Sequence, residues 1–217
     1  IRVRYLMKLI NEKLAKDILL AGKEEFLEKG FQGASMRQIA ARLQVTTGAI
    51  YRYYTDKESI FEALVGDAAR ELEERYRRVQ QEFSELPLSG QMENLPEVSE
   101  DEHAWMMEYI YDNFDAFKLI SCCAVGTGYE HYLDRLIEIE VNSSLALIDK
   151  MQQEGMKVLP MDEDMIHIVA SAMFNGMFET VRHDIPREKA IIYTDSLRSF
   201  YSAGWFKLLG ISEKKRG

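Results

Sequence analysis

No uninterrupted apolar run in this chain approaches the ~20 residues a helix needs to cross a bilayer. Residues 1–8 lack the apolar stretch and small-residue cleavage site of a secretory leader, so a cytoplasmic protein is expected. Cysteine is scarce. The only two, Cys122 and Cys123, are adjacent, which disfavours a disulfide between them and offers no metal-ligand spacing. Both are read as small buried apolar residues. Only four prolines occur in 217 residues, and alternating apolar and polar positions are almost absent, which argues against sheet and extensive disorder. Catalytic signatures are missing too: there is no Gly-x-Ser-x-Gly, no glycine-rich phosphate loop and no His-Glu-x-x-His. The four histidines, His103, His131, His167 and His183, stand on separate segments. An enzyme, a metal site and a cofactor are therefore not expected.

What remains is helical periodicity. Apolar residues recur at three and four throughout, and the abundance of Leu, Met, Glu and Lys favours helix. The chain is expected to be all-α, an N-terminal three-helix unit over residues 1–56 followed by a larger helical domain over residues 57–217. A first helix over residues 10–29 carries Leu14, Ile18, Ala21, Glu25 and Phe26 at helical spacing and stops at Gly30. Ser35 is a good N-cap for a short helix with Met36, Ile39, Ala40 and Leu43 on one face. After a brief turn a second short helix, residues 46–53, points Ile50 and Tyr54 inward, and Lys57-Glu58 opens a long one.

Residues 86–100 hold two of the four prolines and little periodicity, and are read as a loop. Helices resume with a stripe from Trp105 to Phe117, then, after Gly126-Thr127-Gly128, with one from Tyr132 to Ile148 closed by Gly155 and Pro160. Two last helices, about 162–183 and 186–209, bear apolar stripes wider than one neighbour needs. Ala170, Gly176, Ala203 and Gly204 add small residues for close approach, so a homodimer packed through these helices as a four-helix bundle is expected.

The net charge of −9 looks unfavourable for a partner made of phosphates. It is unevenly spread. Residues 1–65 carry +3 and the remainder −12, so a mildly basic head precedes an acidic body. Within that head, two short helices joined by a tight turn are what a helix-turn-helix requires, one crossing the DNA backbone and one entering the major groove. With Ile50 and Tyr54 inward, Thr47, Tyr51 and Arg52 face out, and Arg52 has the paired donors that suit guanine. The alternative is an aromatic core, with Tyr51, Tyr53 and Tyr54 packing inside a small helical unit. Ser35 can likewise be only a cap, and Lys57 only the first residue of a helix.

The stretch FLEKGFQGASMRQIAARLQVTTGAIYRYYTDKESIFEALV resembles the N-terminal pattern of TetR-family (TetR/AcrR-like) regulators. About 40 residues carry the likeness, through Phe26, Gly30-Phe31, Ser35, Arg37, Ile39-Ala40, Val45, Gly48, Ile50-Tyr51, Tyr53-Tyr54 and Lys57. The resemblance implies base contacts from Thr47, Gly48, Tyr51 and Arg52, and phosphate contacts from Ser35, Thr46, Tyr53 and Lys57. Two positions depart from it: His-Phe is common where Tyr53-Tyr54 stand, and Ala where Gly22 stands.

The resemblance further implies a dimeric repressor that binds a pseudo-palindromic double-stranded DNA operator and is released by a small inducer. A small lipophilic or aromatic inducer is expected, with candidate contacts from Trp105, Glu108, Tyr109, Asp112, Phe117, Cys122, Tyr129, His131 and Phe174, an aromatic and acidic set that would suit a lipophilic cation. The bland reading makes Trp105, Tyr109 and Phe117 ordinary core and Glu108 and Asp112 a solvated face. The competing function is a helical small-molecule-binding protein or protein adaptor whose head is vestigial.

Overall fold

The computed structural model describes the backbone of residues 2–211 and the side chains of residues 11–211. These residues form nine helices and no strand: α1 (Arg2–Gly33), α2 (Met36–Arg42), α3 (Thr47–Ile50), α4 (Lys57–Glu85), α5 (Leu88–Asp112), α6 (Phe114–Cys123), α7 (Tyr132–Gln153), α8 (Glu163–Arg182) and α9 (Arg187–Leu208). None of them is long and apolar enough to cross a membrane.

The chain divides into two compact units. The first ends at Arg70 and also takes in Asp115–Glu130; the second comprises Glu71–Phe114 and the chain from His131 on. The first unit thus runs past residue 56, where the sequence suggested a boundary. The reason is in its core. Ile60, Phe61 and Val65 of α4 are fully buried, as are Ile18, Phe26, Ile39 and Ile50. Phe26, Phe31 and Phe61 form a triangle of rings with centroids 5.3–5.7 Å apart, two of the three pairs edge-to-face. Leu119 and Phe117 of α6 are also fully buried.

In α1 the backbone leaves helical geometry at Gly30, at φ 68° and ψ 167°, the stop expected there. Such a left-handed φ costs glycine little and other residues more. Gly22 answers to packing instead. A Cβ added at Gly22 would lie 2.6 Å from Ile60 Cγ2, so the missing methyl group lets α4 come close to α1.

The second unit is built from α5, α7, α8, α9 and the latter part of α4. Its core includes Leu72, Met107, Leu136, Phe174 and Phe178. Gly176 of α8 faces Leu197 of α9 so closely that a Cβ would come within 2.6 Å of Leu197 Cδ2. The expected loop at residues 86–100 is a helix instead, the first half of α5. Pro87 stands at its N-cap, where its fixed φ suits a helix start. Pro96 lies inside, where it has no N–H to offer the turn before it. Packing offsets that loss: Leu88 is buried against Leu147 and Met151, with Met92 and Leu95 beside them. The buried Gln91 amide donates to Phe83 O at 2.7 Å, and Lys150 Nζ donates to Leu86 O at 2.6 Å and Ser84 O at 3.1 Å.

Gly22→Ala is expected to destabilise the chain by about 1–3 kcal/mol, against the roughly 1 kcal/mol gain that helix propensity alone gives. Urea unfolding of the two proteins checks this, and a more stable variant would refute the close-packing role of Gly22.

Candidate functional site

The head's two short helices are set by their caps. Ser35 Oγ accepts from Gln38 N–H at 3.3 Å and donates to Gln38 Oε1 at 2.8 Å, starting α2. Thr46 Oγ1 accepts from Ala49 N–H at 3.3 Å, starting α3. Between them the chain reverses at Gln44, whose φ of 55° is left-handed. Gln44 N–H donates to Ala41 O and Val45 N–H to Ala40 O, closing the end of α2. The turn expected here from the spacing of the two helices contains no glycine, and Gln44 takes the left-handed conformation instead.

Regular helix in α3 ends at Ile50, shorter than the expected 46–53, and hydrogen-bonded turns carry the chain on through Tyr54. Ile50 is fully buried, while Gly48, Tyr51 and Arg52 are exposed and Thr47 is half-buried. Tyr51 is more than half exposed, at 54%, which removes it from the aromatic core. A Cβ at Gly48 would meet nothing closer than Thr46 Oγ1 at 3.9 Å. The fold therefore does not require glycine there, and the space above the residue is open to an outside partner.

The remaining head residues have intramolecular roles. The Tyr53 hydroxyl donates to Asn11 Oδ1 at 3.1 Å, and the half-buried Tyr54 has its hydroxyl pKa raised by burial. Lys57 differs most from the phosphate contact expected of it. Its ammonium donates to Phe31 O at 2.7 Å and to Gln32 O and Ala34 O at 3.3 Å, and lies 4.3 Å from the Phe31 ring centroid. All three of its hydrogens close off the end of α1. Arg42, which the sequence did not mark, clamps α2 to α1: its guanidinium meets the buried Glu25 carboxylate at 2.8 Å and also pairs with Glu28 and, at 3.8 Å, Glu24.

The second unit encloses a cavity of about 180 Å³ walled by α4, α5, α7, α8 and α9. Of the nine candidate ligand contacts, only Phe174 lines it. Trp105 and Tyr109 stack on each other at 4.9 Å, with the Arg75 guanidinium 3.8 Å over Trp105. Glu108 and Asp112 pair with Arg187. Phe117, Cys122 and Tyr129 belong to the first unit: Phe117 is core, Cys122 is exposed, and the Tyr129 hydroxyl donates to Glu62. His131 is exposed and bonds to Asp134 at 2.9 Å. The two cysteines also part company, since Cys123 is buried, its thiol pushed up to about 11 chiefly by desolvation.

The polar groups that do line the cavity include Glu102, His103, Glu140 and Arg198. A signal for one was available. Leu136, Glu140, Ser144 and Leu147 fall on one helical face, so a carboxylate interrupts an apolar stripe. Burial, aided by the positive Arg198, holds the His103 imidazole down at about 4, and its Nε2 has no hydrogen-bond partner among the described residues.

Residues 18–64, the capped helices and the start of α4, match the sequence pattern of bacterial regulatory proteins of the tetR family. The sequence likeness to that family is confined to this head, 47 of the 217 residues. The chain is 43% identical over 51 residues to the HTH-type transcriptional repressor BepR of Brucella suis biovar 1 (strain 1330), a match covering 24% of each protein. Two solved structures resemble nearly the whole chain in fold. A protein of Syntrophomonas wolfei str. Goettingen assigned to the TetR-family transcriptional regulators shares 21% identity, covering 94% of this chain and all of that one, with a TM-score of 0.55. A tetR-family regulatory protein from Rhodococcus RHA1 shares 20%, covering 92% and 98%, with a TM-score of 0.52. At these identities the likeness is one of fold.

His103 gives the chain a definite pH response. The folded chain takes up its proton near pH 4 and the unfolded chain near 6.5, so the unfolded state binds more protons between those values. Stability is expected to fall as pH drops through that window, by up to about 3 kcal/mol from this residue. His103→Gln should flatten the slope in urea unfolding measured at pH about 7 and about 4.5; parallel losses in both proteins would remove His103 as its source.

Proposed function

We propose that this chain is a ligand-responsive, dimeric transcriptional regulator, a repressor that binds a pseudo-palindromic operator and releases it when a small molecule occupies the second unit. The observation that carries the reading is the outer face of α3 and the turn after it. Gly48, Tyr51 and Arg52 stand exposed over a fully buried Ile50, inside a segment that matches a family of DNA-binding regulators. Thr47 belongs to the same face. Arg52 reads a base edge, Gly48 lets the backbone approach the groove, and the capped starts of α2 and α3 bring Ser35 and Thr46 to the phosphates. Lys57 acts indirectly, by holding the end of α1.

The dimer is proposed on the outer face of α8 and α9. Ile168, Ile192 and Phe200 are 62%, 63% and 71% exposed, and Met165 and Tyr193 of the same two helices are exposed as well. Large apolar side chains exposed on two neighbouring helices call for a partner surface, and a second copy supplies one by symmetry. Two heads are needed for affinity because each carries little positive charge, and their α3 helices would enter successive major grooves ~34 Å apart.

Arg52→Ala is expected to weaken binding to a selected duplex by about 1–3 kcal/mol and to relax preference at one base pair. Lys57→Ala should act first on thermal stability. Fluorescence anisotropy on a duplex set over a salt series checks the first claim, and salt-insensitive binding indifferent to sequence would sink the regulatory reading. Phe200→Glu should give a monomer by sedimentation and weaken operator binding with it; an undisturbed dimer would place the interface elsewhere.

A further inference from the structure

One carboxylate lining the cavity of the second unit, that of the half-buried Glu140, has no counter-ion among the described residues. Glu140 is met only by uncharged groups: the Tyr76 hydroxyl donates to its Oε2, Gln80 Nε2 donates to the same oxygen at 3.2 Å, and Ser144 adds a further hydrogen bond. Among the described residues no lysine, arginine or histidine pairs with it. Burial accordingly pushes its carboxyl pKa up.

The other charged groups of the lining do not supply the missing charge. Arg198 is spent on Asp195, whose Oδ1 accepts from both Nε at 3.1 Å and Nη2 at 2.8 Å. His103 is neutral at physiological pH. Glu102 adds a second carboxylate; one of its oxygens accepts from Arg75 at 2.8 Å and the other is buried without a partner. Apart from Gln80 and the four serines Ser99, Ser143, Ser144 and Ser202, the remaining wall is apolar or aromatic, with the Tyr76 and Phe174 rings edge-to-face at 5.7 Å and Met106, Ile166 and Met173 also lining it.

An anion entering this space meets two carboxylates. A neutral apolar molecule leaves Glu140 without an opposite charge. A cation with an apolar body satisfies both parts of the wall, since its charge pairs with the carboxylate and is also favoured by aromatic faces. We propose that the cavity binds a small amphiphilic amine, its protonated nitrogen seated on Glu140 and its apolar part on the Phe174 and methionine wall. The proposal rests on the reading of the second unit as the ligand-responsive body.

The test uses the full chain and three probes of equal length, hexylammonium, hexanoate and 1-hexanol, titrated calorimetrically without DNA. Hexylammonium is expected to bind at least about ten-fold more tightly than hexanoate, a difference of about 1.4 kcal/mol. Glu140→Gln should remove that preference while leaving the weak binding of 1-hexanol unchanged. Equal or tighter binding of hexanoate to the natural chain would overturn the proposal, as would undiminished amine binding by a folded Glu140→Gln protein. Should that variant fail to fold, the three-probe series on the natural chain decides alone. A parallel anisotropy measurement separates the two readings: selective amine binding that leaves duplex affinity unchanged upholds the ligand class and overturns ligand-controlled release of DNA.

Discussion

The burial of Ile50 is the constraint on which the head depends. A four-residue helix cannot hold itself together in water, because nucleation costs more than so few hydrogen bonds return. α3 persists because Thr46 caps its start and Ile50 is sealed in the core with Phe26, Ile39 and Phe61. That single anchor fixes the rotation of the helix about its axis. With Ile50 inward, Gly48, Tyr51 and Arg52 must face out, and the chemistry of the face proposed to meet DNA follows from the packing behind it.

The groups around this anchor keep its foundation still. Lys57 ties three carbonyls at the end of α1, and Arg42 ties α2 to the buried Glu25. Neither residue needs to touch a partner to matter for recognition. A base-reading side chain displaced by a fraction of an ångström loses its paired hydrogen bonds, so rigidity in the supporting helices contributes directly to specificity.

The second unit follows a different logic. It leaves a space inside itself and large apolar side chains exposed on α8 and α9, the two features for which a ligand and a second copy are proposed. The uncompensated Glu140 belongs to the first of these features. An isolated core improves when such a carboxylate is replaced by a well-packed apolar residue, so its presence in the wall is best understood as a requirement of what the wall receives.

Local chemistry was legible from the residues alone: the caps Ser35 and Thr46, the stop at Gly30, the inward Ile50 and the outward Tyr51 and Arg52 all depend on neighbours within a turn or two. Sequence also determined the all-helical class, through the spacing of apolar positions. What it could not decide were matters of distant contact. Two prolines suggested a loop at residues 86–100, but burial of Leu88 against Leu147 and Met151, far along the chain, made it helix. Aromatic and acidic residues suggested a ligand site at Trp105, Glu108 and Asp112, yet Arg75 and Arg187 occupy them from elsewhere. A side chain's type and period set what it can do; which partner reaches it first is settled only when helices remote in sequence pack together, because charge pairing and burial act through space.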